Sequence, residues 1–477
     1  MKFLIVFCPF LLFQRRIEFI SFPFICCTYY LNLQTKKMKK ILIYCLLFAG
    51  SLNAQDKPKD YKLPEIKKTL NEDGSHFIKA GMVAQFWGRY NENNNGTTVD
   101  GYLQKNTSDL AIRRLRFNVF GQLTDRIAFH VQFGQNNFSY LSKQQTGSFF
   151  HDALGEYKVS QKGYITMGAG LTGYSGLLRY AAPSVGSILS LDAPLYQQVT
   201  NGINDQFLRK FSVYAKGQIY GLDYRIVLTK PMSASNSLVS FPALNSNQSV
   251  FSLKPPKWQQ QAYLNYQFFD KESNALGYET GTYLGKKKIL NIGAGVIHQQ
   301  DAMWMLKNGT DTVSSDMILY GIDLFTEIPL SERHNAFTVY VAWSDYQMGT
   351  NFIRNLGVMN PANDAIAGKS LSGGGNAIPL IGTGQTLYTQ LGYKFKDNLL
   401  PENGTLQVYA NMQNSTYQYL QQKMIMYEAG INWLIHGTHG AKLTLGMQNR
   451  PVFQTIMGEN REVARKSMVV IQYQISL

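Results

Sequence analysis

The chain has 477 residues and a formal net charge of +15, yet only 16% of its residues are charged and 13% are aromatic. Low charge with many aromatics excludes a disordered chain, which needs the reverse, and four Cys are too few to scaffold a protein of this length. No stretch after residue 55 holds 18 consecutive apolar residues, which excludes a bundle of membrane-spanning helices.

The chain opens on a leader. Met38-Lys39-Lys40 precedes an apolar run from Ile41 to Phe48, and small residues follow up to Ala54. A basic start, a short apolar middle and a small-residue end are the parts of a secretory signal peptide, so 38–54 is read as one, with Gln55 the first mature residue. The apolar run is too short to span a bilayer, which takes about 20 residues. Residues 1–37 are read as upstream sequence from a mis-called start; a membrane helix at 3–13 is the runner-up. All four Cys (Cys8, Cys26, Cys27, Cys45) lie before residue 46. Seven of the 46 Lys/Arg and one of the 31 acids fall in 1–54, which leaves +9 for the rest. Residues 55–75 are polar and charged, and read as a periplasmic tail with no domain of its own.

Beyond the tail, apolar residues recur at every second position, the mark of half-buried strands whose side chains point alternately to two faces. Sixteen such segments are read from the sequence: 77–90, 108–122, 127–137, 149–160, 163–171, 209–219, 221–230, 258–269, 287–299, 316–329, 336–347, 385–396, 404–413, 423–435, 441–450 and 466–477. Their connections sort by parity. Short ones follow even-numbered segments; the long ones 91–107, 172–208, 231–257 and 348–384 follow odd-numbered ones. The long stretch 270–286 breaks the rule. An even strand count with alternating short and long connections is the signature of a transmembrane antiparallel β-barrel of about 16 strands, with short periplasmic turns and long extracellular loops. The expected fold is therefore all-β, with 76–477 as an outer-membrane barrel.

Ile165-Thr-Met-Gly-Ala-Gly170-Leu, Leu189-Ser-Leu-Asp192-Ala-Pro194, Asn204-Asp-Gln-Phe207, Val213-Tyr-Ala-Lys-Gly217 and Leu222-Asp-Tyr-Arg225 through Lys230-Pro231 resemble the phosphate-selective porin O and P family. The resemblance is specific at 163–231 and pattern-level over the rest of 76–477. It implies a sixteen-stranded barrel in the outer membrane of a Gram-negative bacterium, usually a homotrimer, passing anions or other small solutes. The sequence departs from the phosphate-specific members in lacking a dense Arg/Lys ladder, which argues against phosphate specificity.

A pore needs a polar wall, a constriction and a field rather than catalytic groups. Parity sends Arg114, Arg116, Asn118 and Gln122 to the water side, opposite Leu115, Phe117 and Val119. Lys158, Lys210, Lys216 and Arg225 fall on polar faces in the same way, as do Glu156, Asp323, Glu327 and Glu428. A basic excess lowers the energy of an anion in the lumen, so weak anion preference is expected. The loop 172–208 is a candidate constriction, carrying Arg179. Its Leu177, Leu178, Ile188, Leu189 and Leu191 fit either an inward fold or packing against a neighbouring subunit. Trp87, Tyr90, Phe138, Tyr140, Trp343 and Tyr346 fit an interfacial aromatic girdle. Gly168-Ala-Gly170-Leu-Thr-Gly173 matches a dinucleotide fingerprint in letters but lacks the following helix. His436 and His439 read as a surface turn.

The expected function is passive diffusion of small hydrophilic solutes or anions, phosphate among the candidates, across the bilayer that holds the barrel. The alternative is a channel specific for an oligosaccharide or an organic acid; an outer-membrane enzyme or an adhesin fits less well. No catalytic residue, cofactor, metal site or nucleic-acid partner is expected.

Overall fold

A computed structural model describes residues 65–237 and 239–477. The readings of 1–37, 38–54 and the first part of the tail lie outside the described residues. The main strands are β1 (Phe77–Glu92), β2 (Asn106–Gln122), β3 (Ile127–Phe138), β4 (Phe149–Lys158), β5 (Thr166–Thr172), β6 (Lys210–Ile219), β7 (Leu222–Lys230) and β8 (Gln259–Gln267). They continue with β9 (Ile289–Lys307), β10 (Asp311–Pro329), β11 (Ala336–Gln347), β12 (Gly384–Lys394), β13 (Thr405–Tyr417), β14 (Lys423–Leu434), β15 (Ala441–Ile456) and β16 (Glu459–Ser476). Each pairs antiparallel with the next, and β16 returns to β1 from Val83↔Ser476 to Asn91↔Met468. The ring is thus a closed barrel of 16 strands. Closure satisfies every strand edge, which an apolar solvent demands because it offers no hydrogen bonds.

All sixteen segments expected from alternation are present, but two hairpins run further. Pairing of β9 with β10 continues past a bulge at Gln299/Met303 to Lys307↔Asp311. It ends on Asn308 and Gly309, both at positive φ, the residues a tight hairpin turn favours. The β15–β16 hairpin likewise reaches Ile456↔Glu459. These extensions no longer have one oily face and one wet face, so period two fades while the backbone ladder goes on. From the tail, Ile66–Thr69 adds a short strand to β1 over Phe77–Ala80, where β1 has no β16 partner.

The barrel is apolar outside and polar inside. Phe211, Val213, Met167, Ile226, Leu264, Ile322 and Ile471 are exposed on the outer face. Gln259, Asn265, Thr338, Asn432, Thr444, Gln472 and Gln474 are buried on the inner one. Two of the aromatics expected in an outer girdle prove to face inward. Trp87 donates through Nε1 to Gln472 Oε1 at 2.8 Å, and the Tyr346 hydroxyl donates to the Tyr196 carbonyl at 2.9 Å. Parity places both on the same face as Gln85 and Ser344, and proximity to a strand end could not reveal that. Trp343, Tyr90 and Tyr140 lie on outward or exposed positions.

Three inner facts explain what fills the lumen. First, residues 173–209 fold inside the wall and are almost wholly buried. Second, their leucines lodge where the wall has glycine. A Cβ at Gly392 would sit 2.5 Å from Leu189 Cδ2, and one at Gly446 would sit 2.4 Å from Leu191 Cδ1. The Leu177 carbonyl passes just as closely over Gly295. Small residues in a strand interior mark this kind of close approach. Third, the wall opposite is rich in tyrosine. Leu177, Leu178, Tyr180, Tyr196, Val199 and Ile203 pack with Phe325, Tyr340, Tyr346, Tyr388 and Tyr417 into one buried apolar cluster. The apolar residues of this loop therefore fold inward.

The parity exception, 270–286, enters the lumen from the turn end and meets the first insert. Ser184 N donates to the Glu279 carbonyl at 2.8 Å, and Glu279 N donates to the Ala182 carbonyl at 2.9 Å. Arg179 forks onto Glu272 at 2.6 and 2.7 Å, with its guanidinium 3.7 Å from the centre of the Phe325 ring.

Candidate functional site: the basic passage beside the inserts

With one side of the lumen packed, the open space runs along β1–β3. A cavity of about 180 Å³ lies toward the loop end, bounded by Leu356 and Met359. A second of about 420 Å³ lies toward the turn end, bounded by His439 and Leu477. Both are lined by Arg116, Pro183, Val185, Arg209 and Tyr278. These five residues form the neck between the two spaces.

The neck and the upper cavity carry four arginines: Arg113, Arg114, Arg116 and Arg209. Strict alternation sends Arg113 to the lipid side. In the structure Gln85 pairs with Arg114 and Phe86 with Ile112, so Arg113 is a bulge residue. On the other side Arg114 faces Asn136 and Ile112 faces Phe138, skipping the same position. A bulge re-aims a side chain, and here it turns Arg113 inward beside Arg114. The signal was present in the sequence: a charged residue on a lipid face is costly, so Arg113-Arg114 in tandem called for a break in register.

Two carboxylates answer this charge. Asp192 of the first insert accepts from Arg113 Nε at 2.9 Å and from Arg113 Nη2 at 2.5 Å, and it also binds Arg114. Burial pushes the Asp192 carboxyl up, but the two guanidinium groups outweigh it and hold the pKa below the usual carboxylate value. Asp152 lies 3.4 Å from Arg209, which also donates to the Tyr278 hydroxyl at 2.8 Å. Arg116 has no carboxylate partner among the described residues. Its Nε and Nη2 reach Asn136 Oδ1 at 3.2 Å and its Nη1 reaches Gln132 Oε1 at 3.5 Å. Four guanidinium groups against two carboxylates leave a local excess of two positive charges.

The other basic residues singled out in the sequence have different surroundings. Lys210 braces the foot of the first insert, with Nζ 2.8 Å from Thr200 Oγ1 and 3.1 Å from Gln259 Oε1. Lys216 pairs with Glu156 at 2.7 Å and donates to the Ala275 carbonyl of the second insert at 2.8 Å. Arg225 pairs with Glu279. Arg179 is consumed by Glu272 and Glu279, so it joins the two inserts and does not line the neck. Lys158 ends β4 near the turn and belongs to no cluster around the neck. Asp323, Glu327 and Glu428 also hold inserts: they accept from the backbone N–H groups of Arg179, Tyr283 and Leu191. Parity placed these groups on the inner face, but no sequence pattern shows which of them an insert will cover. His439 Nε2 lies 3.0 Å from the Thr282 carbonyl, tying the last turn to the second insert.

No protein-family model matches the chain, and no curated protein matches it. Solved structures do. OprB of Pseudomonas putida aligns with a TM-score of 0.50 at 10% identity, covering 85% of this chain and 95% of that one. OmpF of Salmonella typhi, solved with daunomycin, aligns with a TM-score of 0.48 at 8% identity over 87% and 100% of the two chains. The outer membrane channel DcaP of Acinetobacter baumannii gives 0.44 at 12% identity over 86% and 99%. At these identities the likeness to OprB is one of fold: a closed antiparallel barrel of the porin type.

Proposed function

We propose that this chain is an outer-membrane channel for passive diffusion of small solutes, with a weak preference for anions. The observation that carries the anion preference is Arg116, a neck guanidinium with no carboxylate partner among the described residues, flanked by Arg114 and Arg209. A fixed positive excess in a confined aqueous space raises the local concentration of anions. The insert 172–208 acts as the constriction, since it supplies Pro183 and Val185 to the neck and Asp192 as the partner of Arg113 and Arg114. The leader at 38–54 delivers the chain for export, and the family resemblance implies a homotrimer. Phosphate specificity is the weaker reading, because the neck holds a cluster of arginines and no long ladder.

Swelling of liposomes that contain the purified protein tests the channel. Uncharged solutes should enter at rates that fall with size and do not saturate. Liposomes that fail to swell with the smallest solutes would contradict the reading.

A further inference from the structure

We propose that the upper cavity is a binding site for a monocarboxylate with a small apolar body. The proposal rests on the channel reading and names the solute its neck prefers. The lining of the cavity is mixed: beside the arginines and the polar Asn137, Gln198, Asn201 and Tyr278 it has an apolar set, Leu195, Phe207, Leu208, Leu356, Val358 and Met359. An inorganic oxyanion needs polar partners on every side to replace its water, and an apolar surface supplies none. A carboxylate with an apolar tail can use both kinds of lining, the guanidinium groups and the apolar set. A planar guanidinium grips a carboxylate through two parallel N–H donors, and burial of the tail adds the hydrophobic term.

Part of the donor capacity is unspent. Arg116 is 6% exposed, and its contacts are the three side-chain amide bonds at 3.2–3.5 Å given above. The Nε atoms of Arg114 and Arg209 are buried without a partner. The apolar set is also built rather than incidental. Gln206 and Arg209 exchange two backbone hydrogen bonds of 3.0 Å across a tight turn. The two residues at its tip, Phe207 and Leu208, take φ of 48° and 78°. Glycine or asparagine is the ordinary choice there. The chain instead holds two bulky apolar residues in a left-handed backbone, an arrangement that recurs at functional sites. Phe207 is fixed by stacking on Phe149 at 5.5 Å. The volume of about 180 Å³ suits a single ring, since an apolar cavity of about 150 Å³ accepts benzene.

The test is block of single-channel chloride current by benzoate, acetate and inorganic phosphate in planar bilayers. Benzoate should block with saturation, at a half-blocking concentration about tenfold or more below those of acetate and phosphate, as burial of a ring face requires. Arg116→Gln should raise that concentration about tenfold. Leu208→Asn suits the left-handed backbone and should narrow the benzoate-over-acetate ratio. Equal block by the three anions, or benzoate block without saturation, overturns the proposal even if a variant fails to fold. Absence of any chloride conductance would instead refute the channel reading beneath it.

Discussion

Truncating Leu189 and Leu191 together to Ala removes the two side chains that seat the first insert against β12 and β15. Each is about fully buried, at 1% and 2% exposure, and each sits over a glycine whose backbone belongs to a paired strand. Such a wall cannot collapse into the space left behind, so each truncation belongs in the ~2–5 kcal/mol range of buried Leu→Ala changes. The Asp192 pairing with Arg113 and Arg114 and the Gln390 Nε2 bond to Ser190 Oγ at 2.9 Å remain, with three further hydrogen bonds. Asn432 Nδ2 donates to the Leu189 carbonyl at 2.8 Å, Lys442 Nζ to the Ile188 carbonyl at 2.9 Å, and Leu191 N to Glu428 at 3.2 Å. Their net worth is about 0.5–3 kcal/mol each, comparable with what was removed. The 188–192 arc should then leave the wall part of the time, while the strand ladder stays intact. In single-channel recordings the double variant should show excess open-channel current noise and a changed mean conductance. On gels it should keep the heat-dependent mobility of a folded barrel. Parental noise and conductance in a folded double variant would refute the seating argument.

Glu272→Gln leaves the buried Arg179 with Glu279, 3.4 Å away, as its one carboxylate partner among the described residues. Breaking a buried pair costs up to about 3–5 kcal/mol, so hydrogen exchange should quicken across 270–286, and unchanged protection there would count against the latch. Asp192 has a depressed pKa, so its contribution is fully present above the ordinary Asp value of about 3.9 and is lost as pH falls through its lower folded value. The difference in current noise between the wild type and Asp192→Asn should therefore stay constant from neutral pH to about pH 4 and shrink only below it; a difference already lost near pH 6 would contradict the assignment. Ile226, exposed on the outer face, should face lipid; Ile226→Arg should lose up to about 2–4 kcal/mol in urea titrations of the barrel in vesicles, whereas an unshifted midpoint would place it elsewhere.

The strands were legible because lipid and water lie on opposite faces of every one, which writes period two into residues such as Phe211, Val213 and Ala215. The closing β1–β16 pair followed from the even count. The inserts were legible only as anomalies. Leucines in 172–208 and the excess length of 270–286 stood out, but their meeting at Arg179 and Glu272 depends on contacts across the lumen that no local pattern encodes. For the same reason Lys216 and Arg225 looked like pore wall and turned out to be braces. Arg113 was hidden by a single bulge, Arg209 because parity within 209–219 groups it with Phe211 and Val213, and Asp192 and Tyr278 because they lie outside alternating segments.

The central claim is a passage with a positive neck, and the reversal potential in a potassium chloride gradient measures it most directly. Two excess charges, each worth about 1 kcal/mol at 4 Å in water before screening, predict chloride over potassium by about two- to tenfold. The potential should shift accordingly, and Arg116→Gln should reduce it. A potential of cation-selective sign in the wild-type channel would contradict the account.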